Sequence, residues 1–127
     1  MTAVKFADIS EPTPTFDAVR EEYAQLNAAL DEANSSDARR TVIHQWDQLR
    51  RRLATWEALV QLRFEQDTRN EQYQRDRDYL DELRPKLTEL EVAMMRRLTT
   101  GDLRSEVETH FGPTAIALWE SEVLTFD

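Results

Sequence analysis

The fold class this sequence predicts is all-α, an antiparallel bundle of three long helices followed by two short C-terminal helices. Three observations carry that expectation. Apolar residues recur at alternating spacings of three and four over long stretches, the period of one buried helical face. The 127 residues include only two glycines and four prolines, too few for the tight turns of a sheet protein. The chain is 32% charged and 40% hydrophobic, a balance that suits helices with solvated outer faces. A chain of this length makes one domain, burying roughly two-thirds of the surface its unfolded form exposes.

Residues 1–14 read as an extended arm, because Pro12 and Pro14 remove backbone donors and push Glu11 and Thr13 away from helical geometry. Residues 15–127 then form a single helical domain. Thr13 is one cap for the first helix, with Pro14 at its first position; Thr15 is the alternative. Phe16, Val19, Tyr23, Leu26 and Leu30 make its apolar stripe, and the helix is expected to end near Asn34. The polar run Asn34-Ser35-Ser36-Asp37 is a loop that also offers caps.

The second helix, about 30 residues by its periodic pattern, carries Val42, Trp46, Leu49, Leu53, Trp56, Val60 and Arg63/Phe64 on one face. Arg50, Arg51, Arg52 and Glu57 fall largely outside it. Asp67 and Thr68 mark a break, and Thr68-Arg69-Asn70-Glu71 has the spacing of a capping box for the third helix. That helix bears Tyr73, Leu80, Leu83, Leu87, Leu90, Met94 and Leu98. Pro85 lies inside the pattern and predicts a kink near Asp81 or a helix restarting there, since an interior proline costs about 3 kcal/mol. Gly101 reads as a C-terminal cap, followed by a short helix from Asp102 to His110. Gly112-Pro113 turns the chain into a last helix carrying Ile116, Leu118, Trp119 and Val123. Short connections favour an up-and-down bundle; a long hairpin that dimerises through the same stripes is the alternative.

Composition narrows the function classes. A net charge of -9 should repel nucleic-acid phosphate, and the arginines alternate with Asp and Glu instead of gathering on one stripe, so no nucleic-acid partner is expected. The absence of cysteine excludes disulfides, thiol nucleophiles, iron-sulfur clusters and the usual structural zinc sites. Residues 1–14 lack the apolar stretch of a secretory signal, and no run of about 18 apolar residues occurs. A soluble, cytoplasmic protein without a membrane partner is the expectation.

No residue stands out as catalytic, cofactor-binding or metal-ligating. His44 and His110 are the chain's two histidines and lie far apart. A zinc peptidase helix needs two imidazoles one turn apart with a carboxylate between them as general base, and neither histidine has such a companion. His110 reads as a partner of a helix C-terminus. Asp76, Asp78, Asp81, Glu82, Glu89 and Glu91 could serve acid-base chemistry only where a pocket separates their proton affinities. Interspersed with Arg75, Arg77 and Arg84, they read better as solvated ion pairs. Arg63 lies on the apolar stripe with Asp67 one turn on, a natural junction pair. Trp46, Trp56, Trp119, Tyr73, Tyr79, Phe64 and Phe111 read as core before ligand shelf. Met94-Met95 fits packing or an adaptable interface equally.

A further reading comes from particular runs. Trp46-Asp47-Gln48-Leu49-Arg50-Arg51-Arg52-Leu53, Thr55-Trp56-Glu57-Ala58-Leu59-Val60 and Leu62-Arg63-Phe64-Glu65-Gln66-Asp67-Thr68, with Arg77-Asp78-Tyr79, Asp81-Glu82-Leu83-Arg84-Pro85-Lys86, Phe111-Gly112 and Ala117-Leu118-Trp119, resemble the N-terminal helical region of oligoendopeptidase F-type zinc metallopeptidases, relatives of thimet oligopeptidase. The opening Ile9-Ser10-Glu11-Pro12-Thr13-Pro14-Thr15-Phe16 resembles the lead-in to that region. In that family the zinc ligands and general base lie on an HExxH helix, with a further glutamate, well downstream; this sequence contains no HExxH.

The resemblance therefore implies a fragment-like, non-catalytic module, inactive alone. In a full enzyme it would form part of the wall enclosing a channel for short peptides, and its partner would be the catalytic domain that holds the zinc. No cofactor is expected in this chain itself. The alternative is a free-standing helical interaction or dimerisation protein. A third class, an enzyme with a novel carboxylate site, would show itself through a raised carboxyl pKa in a closed pocket.

Overall fold

A computed structural model describes residues 13–126. Within them the chain forms α1 (Phe16–Glu32), α2 (Ser36–Gln66), α3 (Glu71–Leu98), α4 (Leu103–Phe111) and α5 (Pro113–Phe126), with no strand among the described residues. The all-α class and the count of three long and two short helices are as the sequence predicts. Of the expected N-terminal arm, only Thr13 and Pro14 fall inside the described residues, and both are non-helical.

Each long helix starts where a short polar side chain satisfies a free backbone donor. Thr15, the second of the two candidate caps, accepts from the Ala18 N–H at 3.2 Å. Ser35 accepts from the Ala38 N–H at 3.1 Å. Caps of this kind contribute about 1 kcal/mol each. At the third helix the expected Thr68–Glu71 box is replaced by Asn70, whose Oδ1 accepts from the Tyr73 N–H at 3.1 Å. The reason is local: Asp67 Oδ1 accepts from the Arg69 N–H at 3.2 Å, and the Asp67 carbonyl accepts from the Asn70 N–H at 3.3 Å. Those bonds keep Thr68 and Arg69 in a turn, so Asn70 is the first side chain in the capping position.

Pro85 sits inside an uninterrupted α3, so the helix does not restart there. Pro85 is exposed, as is Asp81, whose carbonyl loses its helical donor. Water can reach that carbonyl, which makes the lost bond tolerable.

α1, α2 and α3 pack on one another in an up-down-up arrangement. Arg97, near the end of α3, donates to Asn27 and Asp31 near the end of α1. At the other end, the Tyr79 hydroxyl donates to the Pro14 carbonyl at 2.6 Å. α1 and α3 therefore run parallel, with α2 antiparallel between them. Along the α2–α3 seam three contacts recur at seven-residue steps on both helices: Arg50 with Glu91 at 2.8 Å, Glu57 with Arg84 at 4.0 Å, and Arg77 over the Phe64 ring at 4.2 Å. That constant register is the geometry of antiparallel coiled-coil packing.

The interior is continuous. Trp46, Leu80, Leu98 and Val107 are wholly excluded from solvent, and Ile43, Met94 and Met95 nearly so. Each such aliphatic side chain contributes roughly 1.5–3 kcal/mol relative to exposure. Met94 and Met95 are thus packing residues, and the aromatics are chiefly core: Trp119 stands edge-on to Trp46 at 5.2 Å, and Tyr79 to Trp56 at 6.0 Å. α5 closes the bundle against α3 and α4, while α4 also touches α2 and α3.

One apolar assignment in α5 is corrected. Ile116 and Trp119 are buried and Val123 is half-buried, but Leu118 is 61% exposed. At 100° per residue Leu118 lies roughly 200° around the helix from Ile116, on the opposite side.

Candidate functional site

The histidines are placed apart in role. His44 is exposed, its ring 4.9 Å from that of Phe111. His110 lies in the last turn of α4, where a cation is favoured, and its Nε2 is 3.4 Å from Ser36 Oγ. Among the described residues no group of three or more His, Asp or Glu side chains is arranged to hold a metal ion. Nor is any described helix long and apolar enough to cross a membrane.

Of the acidic side chains on α3, Glu71, Asp76 and Glu91 are engaged in ion pairs or hydrogen bonds. Arg75 pairs with Glu71 at 3.9 Å, Gln72 donates to Asp76 at 2.8 Å, and Arg84 reaches across to Glu57. Burial pushes the Glu57 carboxyl above its ordinary value, with Arg84 opposing and Glu91 adding to the rise. Glu57 lies in a shallow α2–α3 depression of about 440 Å³ beside Asp47, Arg50, Arg84 and Glu91. There Arg50 bridges Asp47 at 3.5 Å and Glu91 at 2.8 Å and lies over the Trp46 ring at 4.7 Å. The cluster stitches two helices. It presents no nucleophile and no oxyanion-binding donors in an enclosed site, so it has the form of a structural junction.

At the end of α2 the Asp67 N–H donates to the Arg63 carbonyl at 3.1 Å, an ordinary helix-closing bond, and the Asp67 carboxylate accepts from the Arg69 N–H at 3.2 Å. Arg77 is half-buried against Phe64, and its Nε makes no hydrogen bond.

Among the described residues, a groove that sequence reasoning did not single out lies between α1 and α2. It encloses about 730 Å³, floored by Leu26, Ala29 and Leu49 and rimmed by Glu22, Gln25, Gln45, Gln48, Arg51 and Arg52. A second depression of about 400 Å³ continues it toward Thr13, Pro14 and Trp56, sharing Glu22, Leu49 and Arg52. The helix registers put an apolar floor between two polar margins. Arg51 is anchored to Asp47 at 3.0 Å and Arg52 to Glu22 at 3.5 Å. Amide and guanidinium groups at the rim offer donors and acceptors suited to a peptide backbone, and nothing there can cut one. The only sequence signal was the run of long polar side chains on the outward faces, which any solvated helix also carries.

Residues 6–126 match the family described as the peptidase M3 N-terminal domain. The chain belongs to that family. Among solved structures, it is similar to an oligoendopeptidase F at 26% identity and a TM-score of 0.89, over 98% of this chain and 22% of that one. It also shares the fold of PZ peptidase A, solved with an inhibitor, at 24% identity and a TM-score of 0.89, over 97% of this chain and 22% of that one. The chain thus spans about a fifth of the length of each of these peptidases. No curated protein sequence matches it. This peptidase M3 N-terminal domain is all-helical, and the resemblance read from the Trp46–Leu53 and Arg77–Pro85 runs points to the family that the match shows.

Proposed function

We propose that this chain is a non-catalytic helical module of an oligoendopeptidase F-type peptidase, packing against the catalytic part and helping to wall the channel that admits short peptides. The observation that carries the reading is the family match over 6–126 together with a likeness confined to 22% of a peptidase chain. The α1–α2 groove supports it, because an apolar floor with amide rims accepts extended peptide without reacting with it.

The donor set of the described residues does not fit zinc. Metal-activated hydrolysis accordingly belongs, in this reading, to the catalytic part, and the module contributes enclosure alone. Cysteine-free composition and acidic charge fit a cytoplasmic protein that binds neither nucleic acid nor membrane.

The test is to assay the purified chain on a fluorogenic short peptide with added zinc. No hydrolysis above buffer is expected. Chelator-sensitive cleavage by this chain alone would overturn the reading.

A second reading, a free-standing module that self-associates, is favoured by the exposure of Leu118, Leu124 and Phe126. Sedimentation at several concentrations separates the two, since a strict monomer argues against it.

A further inference from the structure

α5 differs in chemistry from the other helices. α3 carries thirteen charged residues in twenty-eight, whereas α5 carries Glu120 and Glu122 in fourteen. Glu120 is occupied within the bundle, pairing with Arg104 at 2.5 Å. The side of α5 that faces away from α3 and α4 therefore presents Thr114, Ala117, Leu118, Ser121 and Leu124, all exposed, with Glu122 the one charge beside them. Leu118 is 61% exposed and Leu124 is 76% exposed. Beside the charge-rich surface of α3, this face carries little charge. Small residues next to two leucines let another element approach closely, and loss of charge lowers the desolvation cost of that approach.

We propose that the outward face of α5 is where the module seats on the catalytic part of its peptidase, with Leu118 and Leu124 as the anchoring side chains. The inference rests on the function proposed above. Two observations favour this occupant over a second copy of the chain. The peptidases sharing this fold devote only 22% of their length to it, leaving a large remainder to cover such a face. Two copies would each carry a net charge of -9 over the whole chain, a long-range repulsion that opposes their association.

The test uses the full chain, labelled with a fluorophore, and as probe an oligoendopeptidase F polypeptide from which the matching 22% has been removed. The native chain should bind the probe. L118E/L124E should bind roughly tenfold or more weakly, as expected for truncated interface anchors, while R51E on the α1–α2 groove should bind as the native chain does. Circular dichroism should show both variants folded, because the substituted side chains are exposed.

Native-like binding by L118E/L124E overturns the inference and leaves the proposed function standing. Self-association of the native chain that L118E abolishes also overturns it, assigning the face to a second copy. If the native chain does not bind a folded probe, both fall. Should the probe not fold, thiol labelling of intact oligoendopeptidase F with cysteine at the positions aligned with Leu118 and Leu124 decides: protection supports the inference, and labelling at the rate of an exposed thiol overturns it.

Discussion

The indole N–H of Trp46 donates to the phenolic oxygen of Tyr23 at 3.2 Å, joining α2 to α1 where the two side chains are 0% and 3% exposed. A buried Trp and a buried Tyr each need a partner for their polar atom, and here one bond serves both. The bond also fixes the rotation of α2, which turns Trp46 onto Trp119 and brings α5 into the same interior.

Replacing Tyr23 with Phe should destabilise the domain by about 1–3 kcal/mol, since the indole N–H loses its acceptor inside the core. Burial pushes the Tyr23 hydroxyl up to about 12 from 10, despite the Trp46 bond and Arg50, which lower it. A raised folded-state value means the neutral phenol's contribution is full below pH 10 and lost as pH rises toward 12. Thermal melts across that window should show a falling stability that Tyr23→Phe flattens; parallel curves for the two proteins would refute this account.

Glu106 joins α4 to the start of α2. Arg39 donates to its two carboxylate oxygens at 2.5 and 2.7 Å and holds the carboxyl below its ordinary value of 4.5. The pair contributes stability above that ordinary value, and the contribution is lost as pH falls through the lowered one. E106Q should therefore reduce the acid-induced loss of stability below pH 4.5, measured by urea midpoints at successive pH values. An unchanged acid limb in E106Q contradicts it. Glu57, raised by burial, works in the opposite sense and favours the folded state as it gains its proton.

Pro85 is an exposed proline in the interior of α3. Replacing it with Ala restores a donor to the Asp81 carbonyl and should stabilise by about 2 kcal/mol, the roughly 3 kcal/mol interior cost less up to ~1 kcal/mol from the freer unfolded chain. Denaturant melts measure this directly. A loss of stability on substitution would mean that the proline shapes α3 to its neighbours.

How much of this was legible beforehand differs from element to element. The stripe Val19, Tyr23, Leu26 and Leu30 was readable because α1 buries a single face, and one face at 3.6 residues per turn leaves a clean period. That a cap lies at Thr13 or Thr15 and another within residues 34–37 was readable, because short polar side chains precede each periodic run; the choice of Thr15 and Ser35 came with the fold. Ile43 and Leu59 on α2, Val92 and Met95 on α3, and Val107 on α4 escaped the pattern although all are buried. They lie beside the main stripes, and helices that meet several neighbours bury more than one face. The α1–α2 groove was not legible at all, because Glu22, Gln25, Gln45 and Gln48 look like any solvated surface until two helices set them opposite one another.

The sequence by itself determined the helices and their order, which follow from local periodicity acting over a few neighbouring residues. The family was legible from the resemblance of particular runs such as Trp46–Leu53. Only the tertiary structure decided that Asn70 displaces Thr68 as a cap, that α3 runs on through Pro85, and that Leu118 faces outward. Each depends on how whole helices rotate to share one interior, and that rotation is fixed by contacts between residues far apart in the chain, such as Trp46 with Tyr23 and Trp119.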